Sequence, residues 1–192
     1  MRQFKTLLSI VHLSAAAIVM SGCASTPETD MSWNARFDDR LLTMGRNNWV
    51  IITESGYSRK SSPGTEIIAT RKALPSVLNT VLSSISDSGH ANATALVTSE
   101  LEHIPDRDAP GITKLNRDIR RILNGAKVST LVLPEQDIIR KIESEAGNYY
   151  TLILKTSTPL PYASVYIKLD SRYWDEEREK RLREALRSAD KQ

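Results

Sequence analysis

The sequence predicts an α/β domain: a layered, mainly parallel sheet with helices on both faces and a charged helix added at the C-terminus. Three observations carry this prediction. Short apolar runs rich in Val, Ile and Leu alternate with amphipathic stretches of helix length along most of the 192-residue chain. Gly, Asn, Pro and Ser clusters bound the runs, as turns between elements require. Once an N-terminal leader is set aside, roughly 170 residues remain, which suits one domain with a sizeable core.

The leader is residues 1–22. Arg2 and Lys5 make a short positive start, the following residues to Met20 are mostly apolar or small, and Met20-Ser21-Gly22-Cys23 resembles the lipobox of bacterial lipoproteins. Such an apolar run is too short to span a bilayer comfortably. Cys23 is therefore expected to be lipidated, and its two acyl chains to anchor the protein without a transmembrane helix. It is the single cysteine of the chain, so no internal disulfide is available. Ala24 follows it. In a host with two membranes, that residue would favour an exported lipoprotein held at the outer membrane and facing the periplasm. The leader carries two of the 26 basic residues and none of the 23 acidic ones, which leaves the mature chain at +1. A nucleic-acid partner has little support at that balance.

Residues 23–32 form the lipidated cysteine and a short polar tether, and 33–192 a single domain. Trp33, Phe37, Leu41 and Leu42 recur at helical spacing over 33–44, and Gly45 is placed to end that helix. The run 49–53 is a buried strand and 66–70 a second one, separated by the polar loop 55–66. Leu74, Val77, Leu78, Val81, Leu82 and Ile85 define a helix over 74–85. A strand over 94–98 leads through a polar stretch to a helix over 112–123, with Leu115, Ile119 and Ile122 facing in and Gly125 beyond its end. Then come a strand at 129–133, a helix from Pro134 to about Glu145, and two strands at 150–154 and 163–169. The charged segment 175–188 makes the last helix, with Leu182 and Leu186 as a thin apolar stripe over a solvated surface.

Generic catalytic motifs are missing: there is no GxSxG elbow, no P-loop and no GxGxxG. His103 lies among Glu100, Glu102, Asp106 and Asp108, but without a second histidine at ligand spacing the segment reads as a solvated acidic loop, not a metal site. No cofactor is implied. The stretch Leu42-Thr43-Met44-Gly45-Arg46-Asn47-Asn48-Trp49, running on to Glu54, ends a buried strand on a carboxylate, with Arg46 eight residues earlier. Glu54 thus falls at a strand C-terminus, where open α/β sheets bind ligands. Pro159 and Pro161 precede Tyr162 and pin its backbone. If Tyr162 and Ser164 share a strand, they point to one face.

These segments, "LLTMGRNNWVIITESGYS", "ALPSVLNTVLSSI" and "PLPYASVYIKL", together resemble the D-ribose pyranase and L-fucose mutarotase (RbsD/FucU) family of sugar transport proteins. The resemblance spans roughly residues 36–170 and rests on pattern and spacing. It implies an RbsD/FucU-like fold, a monosaccharide ligand and a homo-oligomer. The family's catalytic histidine falls on Arg46, its following aspartate on Asn48, its strand-end aspartate on Glu54, its tyrosine on Tyr162 and its asparagine on Ser164. A mutarotase must move a proton from the anomeric hydroxyl and another to the ring oxygen. Arginine stays protonated and cannot serve as base. The resemblance therefore implies Glu54 as the proton-transfer group, Tyr162 as donor and Arg46, Asn48 and Ser164 as ligand contacts. An Arg46–Glu54 ion pair would depress the carboxylate and weaken it as a base. The sequence thus leaves three readings: a sugar mutarotase or pyranase with a rearranged acid–base set and weak interconversion of anomers or ring forms, a non-catalytic sugar binder serving uptake at the envelope, and a structural lipoprotein with a vestigial pocket.

Overall fold

In the computed structural model the described residues are 31–58, 63–146 and 149–189. They lie in one compact unit, Met31–Gln192. The leader 1–22, Cys23 and most of the tether lie outside the described residues. No helix among the described residues is long and apolar enough to cross a membrane.

Six strands form one sheet: β1 (Trp49–Thr53), β2 (Thr65–Ala69), β3 (Ala91–Thr98), β4 (Ser129–Leu133), β5 (Thr151–Lys155) and β6 (Val165–Ser171). Their order is β2-β5-β1-β6-β3-β4. β1, β2 and β5 run parallel, and so do β3 and β4. β6 lies antiparallel between β1 and β3, with Ile52 opposite Val165 and Ala91 opposite Ser171. The mainly parallel sheet is thus two parallel blocks of one direction joined by a reversed central strand.

Side chains alternate across a strand, and two cores follow from that alternation. Val50, Ile52, Leu152, Leu154, Val165, Ile167 and Leu169 face α1 (Trp33–Leu41), α2 (Leu74–Asp87) and α3 (Ile112–Gly125). Trp49, Ile51, Leu96, Ile153 and Tyr166 face the other way, onto Ile138 and Ile142 of α4 (Glu135–Ala146). All five residues of β1 are buried, as expected of a central strand covered on both faces.

Several boundaries differ from the sequence expectation for identifiable reasons. α1 stops at Leu41, before the glycine expected to end it, and Leu42 is exposed. The imidazole Nε2 of His90 sits 3.2 Å from the Leu41 carbonyl and 3.0 Å from that of Met44, closing the helix end from β3's approach. Gly125 is the last residue of α3, and Leu123 rather than Ile122 is its fourth fully buried side chain beside Ile112, Leu115 and Ile119. The acidic loop 99–111 is built of caps. Asp106 accepts from the N–H groups of Gly111 and Thr113 at the start of α3, Glu102 pairs with Arg120, and Glu100 accepts from Glu135 N–H at the start of α4. α5 (Glu176–Ala189) leaves Leu182 and Leu186 41% and 49% exposed, so its apolar stripe stays in water.

Candidate functional site

The C-terminal ends of β1, β3 and β5 meet the beginning of β6 on the α4 side of the sheet. Extending the β1–β6 register by one step sets Thr53 opposite Ser164, and both are buried. The Ser164 hydroxyl donates to Glu54 Oε2, so the half-buried strand-end carboxylate is held by a neutral donor. The peptide after Glu54 is fixed from β5's exit: Ser55 N–H donates to the Thr158 carbonyl at 2.8 Å, and the Thr53 carbonyl accepts from Thr156 N–H and Oγ1 at 3.0 and 2.7 Å.

Other hydroxyls lie at the same strand ends. Tyr166 donates to Glu135 Oε1 at 3.1 Å. Burial, then the charge of Glu135, pushes its phenol well above the usual range, so it remains an O–H donor. Tyr57 is raised too, first by burial and then by the charges of Glu54, Glu135 and Glu143. Lys155 Nζ donates to the Tyr57 carbonyl at 3.0 Å, which ties the loop after β1 to β5. Thr53 Oγ1 is fully buried and has no hydrogen-bond partner among the described residues. It lies on the face that carries Ile51 and Tyr166, and a buried hydroxyl in that state is costly unless something else fills its valence.

The residues expected from the sequence divide into two groups. Glu54 and Ser164 come together. Tyr162 is close in sequence but is turned aside: its φ is 54°, it is 40% exposed, and its carbonyl accepts from Thr98 Oγ1 at 2.7 Å. β6 begins only at Val165, so strand alternation does not reach back to place Tyr162 beside Ser164. Arg46 and Asn48 belong to the other end of β1. A strand rising about 3.3 Å per residue puts roughly 20 Å between positions 46 and 54. Arg46 pairs with Asp170 at 3.4 Å, and the expected ion pair with Glu54 does not form within the chain. Asn48 is occupied by backbone: its Oδ1 accepts from Gly45 N–H at 2.7 Å and its Nδ2 donates to the Tyr150 carbonyl at 3.3 Å. The other functional candidates, Thr53, Tyr57, Tyr166 and Glu135, escaped the sequence reading because each sits in a run that reads simply as strand, loop or helix start.

No family model and no curated protein matches this sequence. Solved structures do. The structure of Bacillus subtilis RbsD complexed with D-ribose superposes with a TM-score of 0.51 at 9% identity, over 82% of this chain and 98% of that one. The chain has an RbsD-like fold. Fucose mutarotase from Streptococcus pneumoniae in complex with L-fucose aligns at TM-score 0.47 and 15% identity, over 69% of this chain and 89% of that one. FucU from Bifidobacterium longum aligns at TM-score 0.41 and 12% identity, over 71% and 94%. In this RbsD-like chain the cluster around Glu54 is rich in acceptors and O–H donors at a strand C-terminus, which suits a neutral, hydroxyl-bearing ligand better than an anion. A cleft of about 590 Å³ at the opposite end of the sheet, between α2 and α3, shares none of these residues.

Proposed function

We propose that this chain is an exported, lipid-anchored protein that binds a monosaccharide at the end of β1 and speeds the exchange of its anomers or ring forms. The observation that supports this reading is the Glu54 carboxylate, half-buried and oriented by Ser164 within reach of the Tyr57 environment. In the proposed step Glu54 takes the proton of the anomeric hydroxyl, the ring C–O bond opens to the carbonyl form, and an O–H donor of the site protonates the ring oxygen. Reclosure on the other face returns both protons and yields the other anomer. Tyr57, whose phenol feels the Glu54 charge, is the proposed donor, and Tyr162, 40% exposed, would contact the ligand from outside. The main objection raised by the sequence, a guanidinium depressing Glu54, has no counterpart in one chain, where the carboxylate's hydrogen-bond partner is a serine.

The lipid on Cys23 would hold this domain at the envelope, where a sugar meets the cell. Incorporation of labelled fatty acid, abolished by Cys23→Ser, tests that part. Exchange NMR on ribose, fucose and galactose tests the chemistry. Rates above buffer that fall at least about tenfold in Glu54→Gln are expected, the loss typical of a removed general base being larger still. Rates equal to buffer, unchanged by Glu54→Gln, together with no sugar-induced melting shift, would leave the structural-lipoprotein reading.

A further inference from the structure

We propose that the cleft between α2 and α3 is a second, independent binding site, and that it takes a polar oxyanion carrying phosphate or carboxylate groups. The cleft, of about 590 Å³, falls inside the range of roughly 300–1,000 Å³ typical of small-molecule sites. Arg121, Lys127 and Arg172 converge on it from α3, the turn after α3 and the segment after β6, and among the described residues no carboxylate lines it. Asn79, Asn92 and Ser83 add neutral hydrogen-bonding groups, and Ile122 and Val128 give it an apolar floor. This is the donor-rich, acceptor-poor chemistry that recognises an anion. It is the reverse of the acceptor-rich cluster at Glu54.

Two helix C-termini border the cleft and would oppose an anion if their carbonyls were open. They are not open. In the last turn of α2, Ser84 accepts from Ser88 N–H, Ile85 from the Ser88 hydroxyl and Ser86 from Arg172. In the last turn of α3, Ile122, Leu123 and Asn124 accept from the N–H groups of Ala126, Val128 and Lys127. Arg121 pairs with Asp118 on its own helix at 2.5 Å, so Lys127 and Arg172 set the sign of the cleft.

Lys127 carries the sharpest indication. It occupies the left-handed position after α3 at φ 54°, where glycine is the residue favoured by backbone sterics. A lysine there retains a cation at the cleft against that preference. Arg172 is already oriented by the Ser86 carbonyl at 2.9 Å and by Asn92 Oδ1 at 3.3 Å, so its guanidinium is held at the cleft before any ligand arrives.

The test uses backbone-amide NMR of the full chain at low ionic strength, titrated with inorganic pyrophosphate and with citrate, and with sodium chloride at matched ionic strength. Either polyanion is expected to give saturable shifts at residues 83–88 and 124–128, leaving residues 53–57 and 164–166 still. Pyrophosphate binding alone assigns the phosphate class, and citrate alone the carboxylate class. Lys127→Gly relieves the backbone and so should fold at least as well, yet it should weaken binding roughly tenfold, the worth of one charge-assisted contact. Shifts reproduced by sodium chloride, no saturation with either polyanion, or unchanged affinity in both Lys127→Gly and Arg121→Gln overturn the proposal. None of these outcomes depends on whether sugars bind at Glu54.

Discussion

Replacing Thr53 with valine should make this protein more stable and less responsive to sugar. Thr53 is fully buried, and its hydroxyl lacks a partner among the described residues. An orphaned buried hydroxyl costs about 1–3 kcal/mol. Valine keeps the shape, removes that cost and suits a strand slightly better. The backbone is unaffected, because it is the Thr53 carbonyl, not the side chain, that anchors Thr156. A gain of about 1–2 kcal/mol follows, which in a domain of this size raises Tm by roughly 2–4 °C per kcal/mol. The same hydroxyl, if it serves a ligand, contributes about 0.5–1.5 kcal/mol to binding, so sugar affinity should fall between about twofold and tenfold. Thermal melts of wild type and Thr53→Val, each with and without a saturating sugar, read both effects at once. A lower Tm for the valine protein would show that the hydroxyl already has a partner. A full sugar-induced shift in the more stable variant would show that the hydroxyl faces no ligand. Either result refutes the reasoning.

Three other outcomes are expected. Arg46→Ala should change sugar exchange less than about twofold and stability by no more than about 1 kcal/mol, since it breaks only a half-exposed pair with Asp170; loss of exchange would place Arg46 of a second copy at the site. Ile138→Ala should cost about 2–5 kcal/mol in urea unfolding, because Ile138 is fully buried and with Ile142 is α4's apolar hold on the sheet. Acid should weaken the joint between α1 and β2. Burial alone would raise Glu66, but hydrogen bonds from Arg40 and Tyr150 and the charges of Arg40 and Arg36 outweigh it and hold the carboxyl below the ordinary 4.5. A depressed carboxyl stabilises above its unfolded-state value and loses that contribution as pH falls through its folded value. Glu66→Gln should therefore be destabilising at neutral pH, and its unfolding free energy should fall less steeply than wild type below about pH 4.5.

The fold class was legible because burial on both faces writes a continuous apolar run, as in β1, while burial on one stripe writes helical spacing, as in α2. Strand direction and strand position were not legible. The run 165–171 has the period of a strand whichever way it points, and nothing local in it announces a reversed strand between β1 and β3. β4 reads as apolar as a core strand, yet Leu131 and Val132 are 46% and 44% exposed, because being at an edge is a property of the topology. The nearness of Glu54 and Ser164 was legible, because a polar residue interrupts an apolar pattern at each. The separation of Arg46 from Glu54 was not legible, because eight residues that look adjacent on the page are stretched along a strand. Nor was the turn of Tyr162 away from Ser164, because a positive φ at a tyrosine is a tertiary choice, against the residue's own preference.

The reversed strand also sets the order in which the molecule can become complete. β6 is the last strand in the chain, yet it bonds to β1 on one side and β3 on the other. Until residues 165–171 are made, the block β2-β5-β1 and the block β3-β4 have no shared ladder. The serine that holds Glu54 immediately precedes that strand. Closing the sheet and giving Glu54 its serine partner therefore wait for the same late stretch of chain. A chain cut short before position 164 would carry Glu54 without its partner, so any activity built on that pair reports a finished molecule.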